Sequence, residues 1–248
     1  MKLKGKTAIV TGVGAGIGES TARLFAKEGA DVIGNDILEE AESVINAIRS
    51  DGGSAAFVIG DVSDIEAARK IIETAVDTFG RLDILVNNAG IVLPGRVDNT
   101  SHEDWDRTIA VNVRGPYLLS KFAYPYLKEN KGTIIHVASV AALTGLCNRA
   151  VYTASKGALT SLTRAMAMDY KDDGIRVNCI CPGTTDTPSL ADRLSQLPNP
   201  EAARKEFIAR QPMGRLGAPY EIAEGILYLA LAEFCTGTIL SVDGGMSL

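Results

Sequence analysis

Short aliphatic and β-branched runs alternate along the chain with longer stretches whose apolar residues recur at helical spacing. The runs at 7–11, 31–35, 55–59, 82–86, 133–137, 175–180 and 237–241 read as buried strands. Between them, helical stretches near 17–28, 39–50, 64–79, 103–129, 150–171 and 219–232 are each long enough to cross over between parallel strands. This alternation predicts an α/β fold: a single doubly wound Rossmann domain over residues 1–248, with a seven-stranded parallel sheet and helices on both faces. No linker, repeat or low-complexity tract divides it. The least regular stretch runs from Pro182 to Ala218, where Pro182, Pro188, Pro198, Pro200 and Pro212 interrupt two short amphipathic segments. Loops that follow the carboxyl ends of parallel strands surround the ligand crevice, so a substrate lid is expected at about 183–218.

Composition narrows the classes of function. The 248 residues carry a net charge of -5, which excludes nucleic-acid binding driven by a basic surface. No apolar run approaches the roughly 20 residues of a membrane span, and the N-terminal segment lacks the apolar stretch of a signal peptide. A cytoplasmic protein with no nucleic-acid or membrane partner is expected. Cys147, Cys179, Cys181 and Cys235 read as reduced thiols, and with His102 and His136 as the only histidines no zinc spacing is present, so no metal is expected.

The first strand runs into Thr11-Gly12-Val13-Gly14-Ala15-Gly16-Ile17-Gly18, at the start of a helix. Ile17 occupies the third glycine of the common G-x-G-x-x-G spacing. The frame is instead G-x-x-x-G-x-G on Gly12, Gly16 and Gly18, which still lets the backbone approach a pyrophosphate at a helix N-terminus. The second strand ends near Asp36, at the distance where an acidic side chain binds ribose hydroxyls. A carboxylate there repels the 2′-phosphate of NADP, and no Lys or Arg in the glycine loop offsets it, so NAD is the expected cofactor. Asp61-Val62, after the third strand, could meet the adenine, and an N-cap role for Asp61 explains it nearly as well.

Tyr152 and Lys156 stand at i and i+4, on one face of a predicted helix. A nearby ammonium favours phenolate, bringing a pKa of about 10 toward the range of a general base. In alcohol oxidation the Tyr152 phenolate takes the hydroxyl proton while hydride leaves the carbinol carbon, and Ser139 hydrogen-bonds the reacting oxygen. Lys156 acidifies Tyr152 and can hold the nicotinamide ribose, and Asn112 positions a water that relays the proton outward. His136 on its apolar strand reads as a structural histidine, and Leu227-Tyr228-Leu229 as core or subunit contact.

Taken in order, Thr11 to Gly18, Asn87-Asn88-Ala89-Gly90, Asn112, Ser139, Tyr152 with Lys156, and Pro182-Gly183-Thr184-Thr185-Asp186-Thr187 resemble the motif set of the short-chain dehydrogenase/reductase family. The resemblance spans nearly the whole chain. It implies that Asn112, Ser139, Tyr152 and Lys156 form a catalytic tetrad. It also implies a cofactor site of Gly12, Gly16, Ile17, Gly18, Asp36, Asp61, Val62, Asn88, Ala89, Gly90, Tyr152, Lys156, Pro182, Gly183, Thr185 and Thr187, with Thr187 on the nicotinamide carboxamide. A homo-oligomer, tetramer or dimer, is a further implication.

The stretches around Arg149, Arg193 and Phe207 to Gln211 are similar to family members that act on small hydroxy acids, such as cytosolic 3-hydroxybutyrate and 2-keto-3-deoxy-L-fuconate dehydrogenases. Arg149, three residues before Tyr152, and Arg193 and Arg210 in the lid are therefore expected to converge on a substrate carboxylate. The opposing expectation pairs each with a neighbouring acid such as Asp192, Glu201 or Glu206. The function expected is hydride transfer between a secondary alcohol of a small hydroxy or sugar acid and NAD. The alternative is a 3-oxoacyl carrier-protein reductase, against which Asp36 argues because such enzymes typically prefer NADPH. A hydrolase elbow at Gly18-Glu19-Ser20-Thr21-Ala22 lacks its final glycine, and both histidines fall too early for a triad. A non-catalytic dinucleotide sensor would usually show a broken tetrad.

Overall fold

The computed structural model describes residues 1–248. Seven strands, β1 (Thr7–Thr11), β2 (Asp31–Asp36), β3 (Ala55–Ile59), β4 (Ile84–Asn87), β5 (Thr133–Val137), β6 (Arg176–Pro182) and β7 (Ile239–Val242), form one sheet in the order β3-β2-β1-β4-β5-β6-β7. Every neighbouring pair is parallel. The chain winds outward through β2 and β3, then returns to the other side of β1 for β4. A crevice therefore opens beyond the carboxyl ends of β1 and β4, where the order reverses.

Both faces of the sheet are covered, which explains why the strands read as continuous apolar runs. Ala8 and Val10 of β1 pack into a cluster with Phe25 of α1 (Gly16–Lys27), Ile45 of α2 (Glu42–Ser50) and Ile226 of α9 (Pro219–Leu231). Ile9 points the other way, toward Ile71 of α3 (Ile65–Phe79), Leu119 of α5 (Gly115–Asn130) and Met166 of α6 (Ala150–Asp169). Full burial of one such Ile or Leu stabilises the fold by about 1.5–3 kcal/mol. His136 on β5 is fully buried, and Asn87 Nδ2 lies 3.1 Å from its Nδ1. Burial, with the Lys156 charge, pushes its pKa down to about 4, so it is a neutral structural group.

Two segments differ from the sequence expectation. The single helix expected over 103–129 is divided into α4 (His102–Ile109), a π-helical turn (Ala110–Arg114) and α5. Pro116 has no N–H to give the Asn112 carbonyl, so the regular i to i−4 ladder fails there. Close packing adds to it, since a Cβ on Gly115 would lie 2.8 Å from the Val62 side chain. In the lid, Pro188 and Pro200 begin helices rather than interrupt them: α7 (Pro188–Ser195) and α8 (Pro200–Ala209) each carry proline in the first turn. Thr187 and Asn199 cap them, their side chains accepting from Leu190 N (3.3 Å) and Ala202 N (3.0 Å).

Candidate active site

The glycine loop is shaped by steric necessity. Gly12 and Gly16 hold left-handed backbones, φ 69° and 61°. A Cβ on Gly18 would collide with the Gly12 carbonyl, so Gly18 lies behind the loop, packing α1 onto β1, and does not line the groove as expected. No side chain caps α1, whose first N–H groups are left for a ligand anion. The loop is stitched to β4 across the crevice. Thr11 Oγ1 accepts from Asn88 N and Ala89 N, both at 3.0 Å, and Asn88 Nδ2 donates to Thr11 O at 2.8 Å. This clamping role of Thr11 and Asn88 is a long-range pairing that motif spacing alone does not announce.

A groove of about 560 Å³ runs along this loop, lined by Gly12, Gly16, Ile17, Asp36, Asp61, Val62, Asn88, Ala89, Gly90 and Thr187. Ile37, Leu38 and Arg107 line it as well, without having been expected. Asp36 closes one end: its Oδ2 accepts from Gly14 N at 2.9 Å, its Oδ1 from Ile37 N at 2.8 Å. Asp61 is not the N-cap of α3. Its Oδ1 accepts from Ser63 N and Oγ (2.8 and 2.7 Å), while Asp64 caps the helix at Ala67 N, 2.8 Å.

Adjoining the groove is a cavity of about 220 Å³ lined by Ser139, Tyr152, Lys156, Arg149, Arg193 and Arg210, by Pro182 at the end of β6, and by Gly183 and Thr185 from the loop that follows. Leu146, Cys147, Phe207 and Met246 are also part of its wall. Ser139 follows β5 with extended backbone and accepts from Ala141 N at 3.1 Å. Tyr152 sits in the first turn of α6 with Lys156 one turn on, its Nζ 5.8 Å from the Tyr152 ring centre.

The electrostatics depart from the sequence expectation. Burial raises the Tyr152 pKa above its ordinary value, and the neighbouring Ser139 hydroxyl and the charges of Arg193 and Arg149 oppose that rise without cancelling it. Lys156 does not figure among the largest influences on the phenol. Its Nζ donates to Val137 O at 2.9 Å, and burial lowers its own pKa to about 8. Asn112 also differs. Its Oδ1 accepts from Ile91 N (2.8 Å), and its Nδ2 donates to Ile91 O (2.9 Å) and Ser155 Oγ (3.0 Å). Both amide hydrogens are used, so the side chain locks the loop after β4 to α6, and a relay water would have to donate to an Asn112 oxygen.

The three arginines line the one cavity, and none makes a salt bridge. Arg149 Nη1 donates to Asn148 O at 2.6 Å, Arg193 Nε to Ser189 O at 3.1 Å, and the Arg210 guanidinium lies 4.0 Å from the Phe207 ring centre. Every partner is uncharged. The lid acid Asp186 is taken by Arg204, through contacts of 3.1 and 2.6 Å. No carboxylate lines the cavity, and burial together with mutual repulsion lowers the pKa of Arg149 and Arg193.

A glycine-lined cradle at the switch point, opening onto a Ser-Tyr-Lys cluster, defines a nucleotide-dependent oxidoreductase by fold and site. Residues 12–247 match the family described as enoyl-(acyl carrier protein) reductase. A Thermotoga maritima protein named uncharacterized oxidoreductase is 50% identical over 99% of this chain and 98% of its own. Danio rerio dehydrogenase/reductase SDR family member 6 is 41% identical, over 100% of this chain and 99% of its own. The solved structure of a 3-ketoacyl-(acyl-carrier-protein) reductase from Brucella melitensis, complexed with NADH, superposes with a TM-score of 0.91 at 38% identity, covering 99% of this chain and 100% of that one. The chain belongs to the short-chain dehydrogenase/reductase family and is an oxidoreductase acting on CH-OH groups. None of these three names specifies a hydroxy acid.

Proposed function

We propose that the protein transfers hydride between the secondary alcohol of a small hydroxy or sugar acid and NAD. The observation that carries this reading is the group of three arginines, each held by a neutral partner, in an acid-free cavity beside Tyr152. A guanidinium grips a carboxylate through two parallel hydrogen bonds, so this cavity selects anions.

The groove suits a dinucleotide. A side chain at Gly12 or Gly16 would fill the cradle or strain it, and Asp36 stands at the rim where it favours ribose hydroxyls over a 2′-phosphate. When bound, NAD supplies the hydride acceptor at the nicotinamide. The chain's residues do the rest. Ser139 and Tyr152 hydrogen-bond the reacting oxygen, Tyr152 exchanges the proton with it, Lys156 holds ribose, and α7 and α8 of the lid at about 183–218 carry two of the arginines over the site. A phenol kept protonated by burial is ready to donate in ketone reduction, whereas alcohol oxidation first requires its deprotonation. A cytoplasmic homo-oligomer remains part of the same reading, carried over from composition and family resemblance.

The second reading is a 3-oxoacyl carrier-protein reductase. The Brucella structure favours it, and because that reductase is complexed with NADH, cofactor choice does not separate the two readings. Substrate charge does. NAD reduction measured across hydroxy acids, aldonic acids and neutral sugars, beside NADH oxidation with an acetoacetyl thioester, decides: free acids as the best substrates support the proposal, and a preference for the thioester replaces it.

A further inference from the structure

Two non-glycine residues have a left-handed backbone: Lys131, which ends α5, and Asn148, φ 57°, in the segment before α6. Asn148 is exposed, does not line the cavity, and its side-chain amide makes no hydrogen bond. Its carbonyl, by contrast, is used twice. It accepts from Gly95 N at 3.1 Å and from Arg149 Nη1 at 2.6 Å, while Gly95 O accepts from Ala150 N at 3.0 Å.

Gly95 belongs to the loop after β4 and packs closely against Thr100. A Cβ there would run into the Thr100 hydroxyl, which donates to Arg96 O at 2.7 Å. Upstream the same loop is clamped at Ile91 by Asn112. The Asn148 carbonyl is thus fixed in space by a braced neighbouring loop. Unlike a carboxylate partner, it orients a guanidinium without neutralising it.

We propose that Asn148 is a positioning residue for anion recognition: its left-handed backbone, bridged to Gly95, presents the carbonyl that holds Arg149 toward a substrate carboxylate. This rests on the hydroxy-acid reading. Asn tolerates the left-handed region better than most residues, glycine adopts it freely, and a β-branched residue resists it.

The test uses the full-length, NAD-loaded enzyme with Asn148→Gly, Asn148→Val, Gly95→Ala and Arg149→Ala. Calorimetry reads the affinity for butyrate and for butyramide, and kinetics read KM and kcat for 3-hydroxybutyrate. Asn148→Val is expected to weaken butyrate and raise the KM for 3-hydroxybutyrate about tenfold, roughly the effect of ~1.4 kcal/mol. Butyramide binding and kcat should change less than twofold, and Asn148→Gly should behave as wild type. Gly95→Ala, which disturbs the bridge from the other side, should shift the acid in the same direction, and it decides if Asn148→Val does not fold. Equal losses for acid and amide, or no loss in either disturbing variant while Arg149→Ala does weaken the acid, overturns the positioning role and leaves the hydroxy-acid reading standing. Butyrate binding that Arg149→Ala leaves unchanged overturns both.

Discussion

The two halves of the site are built by different physics. The cofactor half is made of backbone: glycines with forced conformations, an uncapped helix end, and hydrogen bonds between Thr11 and Asn88 that fasten one strand end to another. The substrate half is made of long side chains on the start of α6 and on two short lid helices, each guanidinium held by a carbonyl or a ring. Backbone geometry tolerates almost no substitution and fixes one ligand class, whereas side chains on a lid can be exchanged while the fold persists. A family can therefore keep its cofactor chemistry and vary its substrate.

The sharpest break between the halves is expected at their boundary. Tyr152→Phe should lose about 10²–10⁴ in turnover, since the phenolic oxygen carries the proton, while NADH titration by fluorescence should show binding retained. With the wild type, oxidation should speed up as pH rises into the alkaline range, because burial holds the phenol protonated at neutrality. Half of wild-type turnover in the variant would remove Tyr152 from the proton transfer.

Within the cofactor half, Gly18→Ala sets a methyl group against the Gly12 carbonyl. NADH affinity should fall about 100-fold, a cost of roughly 3 kcal/mol, with no equivalent glycine sensitivity at Gly145, where a Cβ meets nothing. Wild-type affinity in Gly18→Ala would mean that the loop is not tightly packed.

Beneath both halves, His136 is neutral in the fold with a pKa of about 4, against 6.5 when exposed. The unfolded chain takes up the proton first. The stability His136 contributes is therefore complete above pH 6.5 and is lost as pH falls toward 4, about 3 kcal/mol in all. Denaturant melts at several pH values should show this loss in the wild type and not in His136→Asn; parallel curves would place the acid sensitivity elsewhere.

The smallest expected effect is at the rim of the groove. Asp36→Asn should narrow the preference for NAD over NADP about tenfold by removing charge repulsion at the 2′-position, and equal wild-type efficiency with both would refute the cofactor assignment.

What could be read from the chain follows the same division. Strand runs and the Gly12, Gly16, Gly18 frame are local patterns, and they predicted the sheet and the cradle. The π-helical turn was foreshadowed only by Pro116 in a long helical stretch. In the lid, prolines read as interruptions proved to be first-turn residues, because Thr187 and Asn199 precede them as caps. The partner of Lys156 was illegible: the Val137 carbonyl is brought to it by packing of β5 against α6, nineteen residues away in sequence. Arg210 shows the limit most plainly. Glu206 lies four residues before it, a favourable helical pairing, yet the guanidinium stacks on Phe207 and keeps its charge free for the cavity.

The central claim, that the substrate half recognises a carboxylate, is tested most directly by Arg193→Ala, with KM compared between 3-hydroxybutyrate and its neutral amide. Losing a charge-assisted grip worth about 1.5–3 kcal/mol should raise KM for the acid roughly 10- to 100-fold and leave that for the amide nearly unchanged. An equal effect on both, or none on either, would contradict a hydroxy-acid substrate.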